Sequence, residues 1–207
     1  MLDHPPAPPS TLRLTELVAA RICHDLGSPM ASLGALMPQA GDPAAHAVLS
    51  ETAAELRARL RLFGALFGLA DELGWPEIGE LLGGAPMAHR VRFALPALGG
   101  PFSPGLARLY LTCALLAAEA LPRGGVVHVT EPRPGEVALR LEGRQMEWSP
   151  TLLDLLAGGD VAAALEEGPR RLLAPWAMLL AAREGHALSL AMPVGADEPA
   201  LLLLPEA

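Results

Sequence analysis

The N-terminal third of the chain repeats apolar positions with the period of an α-helix. One series runs at intervals of three and four residues through Leu14, Val18, Ile22, Leu26, Met30, Leu33 and Met37. A second series has heptad spacing and comprises Leu49, Ala53, Leu56, Leu60, Phe63, Phe67 and Ala70. Each series marks one face of a helix. Between them, Asp42 followed by Pro43 is a typical helix start.

These patterns predict two long helices, at about residues 10–37 and 43–73, joined by a short turn. Such helices form an antiparallel hairpin, and a lone hairpin buries too little apolar surface to be stable. Pairing two copies into a four-helix bundle buries the remaining apolar face. The sequence therefore predicts a homodimer.

The pattern changes after Trp75 to short strands that alternate with helices. Strands are predicted at residues 91–95, 126–130, 137–141, 188–192 and 201–204, and helices at 104–121, 150–156 and 172–183. This is an α+β arrangement, with a sheet covered by helices on one face. The predicted domains are a disordered proline-rich tail (1–9), the helical hairpin (10–74) and the α/β domain (75–207).

His24 carries the candidate chemistry. It lies opposite the apolar stripe of the first helix and is therefore expected to face solvent. A neutral imidazole is a nucleophile near pH 7, and Asp25 is placed to hold its tautomer or take its proton. Pro29 lacks the amide that would bond the carbonyl of Asp25, so the helix is expected to bend there. The leading hypothesis is phosphoryl transfer through His24.

Charge and cysteine content exclude several other classes. The net charge of −8 argues against nucleic-acid binding, which needs a positive surface. Cys23 and Cys113 form no CxxC motif and follow no secretory leader, which predicts a cytoplasmic protein. The apolar segment 172–182 is too short to span a membrane.

The stretch CHDLGSPM (residues 23–30) resembles the histidine box of sensor histidine kinases, with Gly27 where those kinases usually carry a basic residue. Residues 109–129 are similar to the helix, Gly-Gly turn and strand of their asparagine box. However, Leu116 stands where the kinases have the magnesium-binding asparagine, and leucine has no oxygen to offer a cation.

Two further nucleotide-binding motifs of the kinases are missing. Residues 139–146 keep neither the Asp nor the second glycine of the Asp-x-Gly-x-Gly box, and residues 166–183 do not resemble the glycine-rich lid. A kinase-like chain with a degenerate ATPase-like domain resembles the ChpT-type histidine phosphotransferases of bacterial phosphorelays. The resemblance extends from about Leu12 to Met192.

This resemblance implies a homodimer in which His24 accepts a phosphoryl group from the receiver domain of a hybrid kinase and passes it to the receiver domains of response regulators. Asp25 would orient His24 or act as its acid or base, and Pro29 would be structural. The chain would bind no ATP, because the nucleotide-binding motifs are missing, and no metal, because the receiver brings its own Mg²⁺. The α/β domain would serve as a docking surface. The residues expected to contact partners are Arg21, Gly27, Ser28, Ala31, Arg57 and Arg61.

Three alternatives compete with the relay. One is an ATP-using kinase with a divergent site, and another is a noncatalytic dimerisation or kinase-inhibiting module in which His24 is incidental. A metal enzyme is disfavoured, because the other histidines are isolated from one another and from paired carboxylates at ligand spacing.

Overall fold

The computed structural model describes residues 9–68, 71–192 and 199–206. Its helices are α1 (Pro9–Leu36), α2 (Pro43–Phe67), α3 (Trp75–Leu82), α4 (Pro104–Glu119), α5 (Pro150–Leu156), α6 (Val161–Leu165) and α7 (Leu173–Arg183), with 3-10 turns at Met37–Gln39 and Pro169–Arg171. Its strands are β1 (Val91–Ala94), β2 (Gly125–Arg133), β3 (Glu136–Gly143), β4 (His186–Ala191) and β5 (Ala200–Pro205). Residues 1–8 of the predicted tail lie outside the described residues, and Pro9 begins α1.

Helices α1 and α2 form the predicted hairpin. The Asp42 carboxylate accepts a hydrogen bond from the amide of Ala45 at 2.9 Å, which confirms the predicted N-cap of α2. Helix α2 ends at Phe67, so its predicted extension to residue 73 is wrong. Gly68 leaves the helical conformation there, and Leu73 instead forms a β-bridge with Phe102. Ala70 of the heptad series lies outside the described residues.

The sheet is mixed and five-stranded, in the order β1-β2-β3-β5-β4. Strands β1 and β2 are parallel and the other neighbours are antiparallel. All five predicted strands are present, which confirms the α+β class. Helices α3 and α6 were not predicted, because eight and five residues are too few for a clear helical period.

Helix α4 forms the centre of the core. Its residues from Leu109 to Ala118 are all buried, so apolar side chains surround it. It packs against α7 and against strands β2 and β3. Trp75 and Phe102 close the core beside Tyr110, with ring centroids 5.0 to 5.2 Å apart. This core is not confined to the α/β part, because Leu62, Phe63 and Leu66 of α2 are also buried in it.

The hairpin rests on the α/β part through these buried residues of α2 and through the N-terminal half of α1. Leu17 is buried with Leu165 and Leu172, and Leu14 and Val18 pack beside them. The C-terminal half of the same apolar stripe is uncovered, so that Met30 is 57% and Met37 61% exposed. One stripe thus contacts the α/β part at one end and solvent at the other.

The two cysteines differ in their exposure to solvent. Cys23 is exposed on α1, whereas Cys113 is buried in α4, where burial raises the pKa of its thiol. We expect a thiol reagent at pH 8 to modify one cysteine per native chain and two in denaturant, with peptide mapping placing the fast reaction at Cys23. Rapid modification of both thiols in the native protein would contradict the buried position of α4.

Candidate functional site

His24 projects from α1 with 57% of its side chain exposed. Its Nδ1 lies 2.9 Å from Oδ1 of Asp25, whose side chain is only 9% exposed. A carboxylate only accepts hydrogen bonds, so Nδ1 carries the proton of this contact. The neutral tautomer defined in this way has an unprotonated Nε2.

Arg21 holds the other oxygen of Asp25. Its Nε donates to Oδ2 of Asp25 at 2.7 Å, one helical turn away. Its Nη2 donates to Oε1 of Glu119 at 2.9 Å, at the end of α4, and its Nη1 donates to the carbonyls of Pro169 and Arg170 at 3.4 Å. A continuous chain of polar contacts therefore joins His24 to the α/β part.

The surroundings strengthen these ionic contacts. A cavity of only about 10 Å³ beneath Arg21 and Asp25 is lined mainly by apolar side chains, so little water reaches this side of the pair. Burial opposes the charge of Arg21, but Glu119 and Asp25 outweigh it and raise the pKa of the guanidinium. Burial raises the pKa of the Glu119 carboxyl, while Arg21 opposes that rise.

A second arginine contacts the backbone of the site. Pro29 continues α1 without an amide proton, which leaves the carbonyl of Asp25 without its usual helical partner. Arg59 of α2 fills that place, because its Nη1 donates to this carbonyl at 2.8 Å. The Arg59 side chain is 9% exposed and also pairs with Glu55. The bend predicted at Pro29 stays a prediction.

The other residues predicted to contact partners are distributed over the hairpin. Gly27, Ser28 and Ala31 are exposed on α1 beyond His24, and Gly27 is in open space. Arg57 and Arg61 are exposed on α2, where Arg61 lies 3.8 Å from Glu80. Arg21 differs from these residues, because it is only 12% exposed and bonds within the chain. Its direct contact with a partner stays a prediction.

The region that resembles a kinase nucleotide site has an apolar interior. Leu116 is buried in α4 with 2% of its surface exposed, and residues 139–143 belong to β3. Residues 166–183 form a 3-10 turn and α7. Within the described ranges, no group of three or more His, Cys, Asp or Glu side chains has the geometry of a metal site, and no helix is long and apolar enough to cross a membrane.

An open concavity of about 560 Å³ lies at one end of strands β1, β2 and β3 and is rich in arginine. Its basic residues are Arg90, Arg92, Arg123 and Arg144, all exposed. Its acid, Glu142, bonds with His128 at 2.6 Å. Within the part of the chain that the structure describes, these four arginines form no ion pair. The concavity is therefore locally positive in an acidic protein.

Comparisons with known proteins identify the family of the chain. The family model for the histidine phosphotransferase C-terminal domain matches residues 77–194, more than half of the chain. The chain belongs to this histidine phosphotransferase family. A curated relative, protein phosphotransferase ChpT of Brucella abortus (strain 2308), is 29% identical over 189 residues, which cover 84% of this chain and 88% of the relative.

A solved structure of a bacterial phosphotransferase has the same fold. It aligns with a TM-score of 0.73 and 23% identity, over 96% of this chain and 98% of that one. This likeness shows the fold, and the family match together with the curated relative confirms the resemblance to ChpT-type histidine phosphotransferases.

Sequence reasoning missed two side chains of this candidate site, Glu119 and Arg59. The ion pair between Arg21 and Asp25 could be predicted from the sequence, because residues four apart lie on one face of a helix. Glu119 and Arg59 could not be predicted in this way, because they lie 98 and 34 residues from the groups they contact. Only the tertiary structure brings them to the site.

The contact between Arg59 and the Asp25 carbonyl gives a test with an internal control. We expect Arg59→Met to lower the free energy of unfolding by about 1–3 kcal/mol, because the part-buried carbonyl of Asp25 and the carboxylate of Glu55 lose their donor. The exposed neighbour Arg57 supplies the matched variant Arg57→Met, which should have little effect. Urea denaturation measures both, and equal losses would contradict the structural role of Arg59.

Proposed function

We propose that this protein is a histidine phosphotransferase of a multistep phosphorelay. In this proposal His24 accepts a phosphoryl group from the receiver aspartate of a hybrid kinase and passes it to receiver aspartates of response regulators. The observation that carries the proposal is the hydrogen bond between His24 and an acid that is itself held by Arg21. Family membership supports the same assignment.

The geometry supports Nε2 as the nucleophile. The contact with Asp25 keeps the proton on Nδ1, so the lone pair of Nε2 lies on the opposite, exposed edge of the imidazole. The small residues Gly27 and Ala31 on α1 leave room for the donor to approach. As Nε2 attacks, positive charge develops on the ring, and the ionised Asp25 beside Nδ1 stabilises it.

The transfer step exchanges one bond for another. The bond from Nε2 to phosphorus forms while the bond between phosphorus and the receiver carboxylate breaks, and the carboxylate leaves with the electron pair. The proton on Nδ1 stays in place, so no general base is required for attack. Transfer to the next receiver is the reverse reaction, with a different carboxylate as the acceptor.

The phosphate enters from a receiver rather than from ATP in this account. Leu116 offers no ligand oxygen at the position that holds magnesium in the kinases that the sequence resembles. We therefore interpret the α/β part as a degenerate ATPase-like domain. The magnesium that offsets charge on the transferring group is expected to belong to the receiver.

Exposed arginines supply the docking contacts. Arg57 and Arg61 lie on the same hairpin as His24, and we propose that they face an acidic receiver surface. The arginine-rich concavity on the α/β part is a further positive surface for such a partner. Arg21, Gly27, Ser28 and Ala31 would border the point of transfer.

We also propose that the hairpin pairs with a second copy of itself. Large apolar side chains remain exposed along it, including Met30 (57%), Val48 (46%) and Leu60 (49%). Scattered apolar residues are normal on a protein surface, but several on one hairpin are typical of an interface. A four-helix bundle of two hairpins would cover them while leaving the α/β parts on the outside.

Phosphorylation by a receiver domain tests the central role of His24. We expect intact-protein mass spectrometry at alkaline pH to show one acid-labile phosphate per chain after mixing with a phosphorylated receiver of a hybrid kinase. The phosphate should be absent in His24→Ala and present in His46→Ala, a control at another exposed helical histidine. Mixing with ATP alone should give no label.

Each other outcome of this experiment selects a different function. Label from ATP alone would show that the chain is a kinase. Label retained in His24→Ala would place the phosphate elsewhere. A protein that no cognate receiver labels would be a noncatalytic dimerisation module.

The proposed dimer predicts a change of mass on substitution at the hairpin surface. We expect light scattering during size-exclusion chromatography to give twice the chain mass for the wild type and to shift toward the monomer for Leu60→Glu. Leu98→Glu provides the control, because Leu98 is 87% exposed outside the hairpin. A monomeric wild type at all accessible concentrations would contradict the bundle.

A further inference from the structure

Glu119 occupies a position that its own helix does not favour. It is the last residue of α4, and a carboxylate at a helix C-terminus faces the negative end of the helix dipole. Its side chain is only 26% exposed, so burial adds to this cost. The contact that compensates both effects is the ion pair of Oε1 with Arg21 at 2.9 Å. The Glu119 carboxylate is therefore stabilised by a partner on α1 and not by its own helix.

The guanidinium geometry shows what this contact does. Nε and Nη2 of an arginine lie on one edge of the guanidinium and can donate hydrogen bonds to both oxygens of a single carboxylate. Here Nε donates to Oδ2 of Asp25, but Nη2 is taken by Glu119. Oδ1 of Asp25 is thus free to accept from Nδ1 of His24. Without Glu119, Nη2 would be free to turn to Oδ1 and compete with His24 for it.

We propose that Glu119 is a positioning residue for phosphotransfer and acts on His24 through Arg21 and Asp25. The α/β part then completes the reaction centre of the hairpin in addition to offering a docking surface. This inference rests on the proposed function of His24. It also explains why α1 is packed against the α/β part around Leu17, since that packing brings Arg21 to the end of α4.

A double-mutant cycle tests the proposal. The variants are Glu119→Gln, Arg21→Gln and the double variant, with Glu136→Gln as the control, because Glu136 is an acid of the α/β part with nearly the same exposure (27%) that also pairs with an arginine, Arg133. We expect Glu119→Gln to lower the single-turnover transfer rate about tenfold, with unchanged half-saturation by the phosphorylated receiver. In the Arg21→Gln background, Glu119→Gln should cause no further loss.

Two additional measurements separate positioning from a purely structural role. Glu119→Asp keeps the charge and should recover most of the lost rate. The ¹⁵N chemical shifts of the His24 imidazole should change in Glu119→Gln and not in Glu136→Gln, because the Nδ1 contact is weakened only in the former. These shifts require only the folded protein, so they are informative without any receiver.

The possible results distinguish this inference from the function on which it rests. A wild-type chain that no receiver labels would overturn the proposed function. A labelled wild type with an equally fast Glu119→Gln variant would overturn the positioning role alone. The positioning role would also be overturned by additive losses in the cycle, by a loss confined to receiver affinity, or by unchanged His24 shifts in Glu119→Gln. If Glu119→Gln fails to fold, Glu119→Asp takes its place in the test. A folded Glu119→Asp that transfers no faster than Arg21→Gln would then overturn the role.

Discussion

The arrangement of this molecule depends on the ion pairs made by the guanidinium of Arg21. It lies between Asp25, on its own helix, and Glu119, at the end of the central helix α4. Because both acids are largely withdrawn from water, the ion pairs are stronger than they would be on an open surface. A buried charge without its partner would be costly, so these ion pairs, together with the burial of α2 in the α/β core, fix how the hairpin packs on the α/β part.

Around this contact, each feature of the histidine site has a local physical origin. Pro29 removes a helical hydrogen bond from the carbonyl of Asp25, and Arg59 of the second helix supplies the missing donor. The backbone of Asp25 is thus held by one arginine and its carboxylate by another. His24, by contrast, remains on the exposed face of α1, where a partner protein can reach it. Rigid support beneath an accessible imidazole suits the proposed transfer between two proteins.

Local patterns in the sequence predicted much of the fold. Apolar periodicity located both hairpin helices and all five strands, and Asp42 marked the start of α2 correctly. The end of α2 was missed because a conformational change at Gly68 interrupts an apolar series that continues in sequence. The surface that packs on the apolar stripe of α1 could not be predicted either, because periodicity identifies an apolar face but not its partner.

The same distinction applies to the site. The sequence singled out His24, Asp25 and Pro29 because their chemistry is encoded in one short segment. Glu119 and Arg59 act only after folding, when elements distant in sequence come together. Leu116 is the opposite case. Its residue type alone argues against a magnesium-bound nucleotide, and its burial in α4 is not needed for that argument.

Nuclear magnetic resonance of the His24 imidazole, before and after phosphorylation by a receiver domain, tests the central claim most directly. The contact with Asp25 predicts a neutral ring with its proton on Nδ1, and a phosphoryl group attached to Nε2 after transfer. Nitrogen-15 shifts and couplings to phosphorus distinguish the two nitrogens. A free ring protonated on Nε2, or a phosphoryl group on Nδ1, would contradict the account.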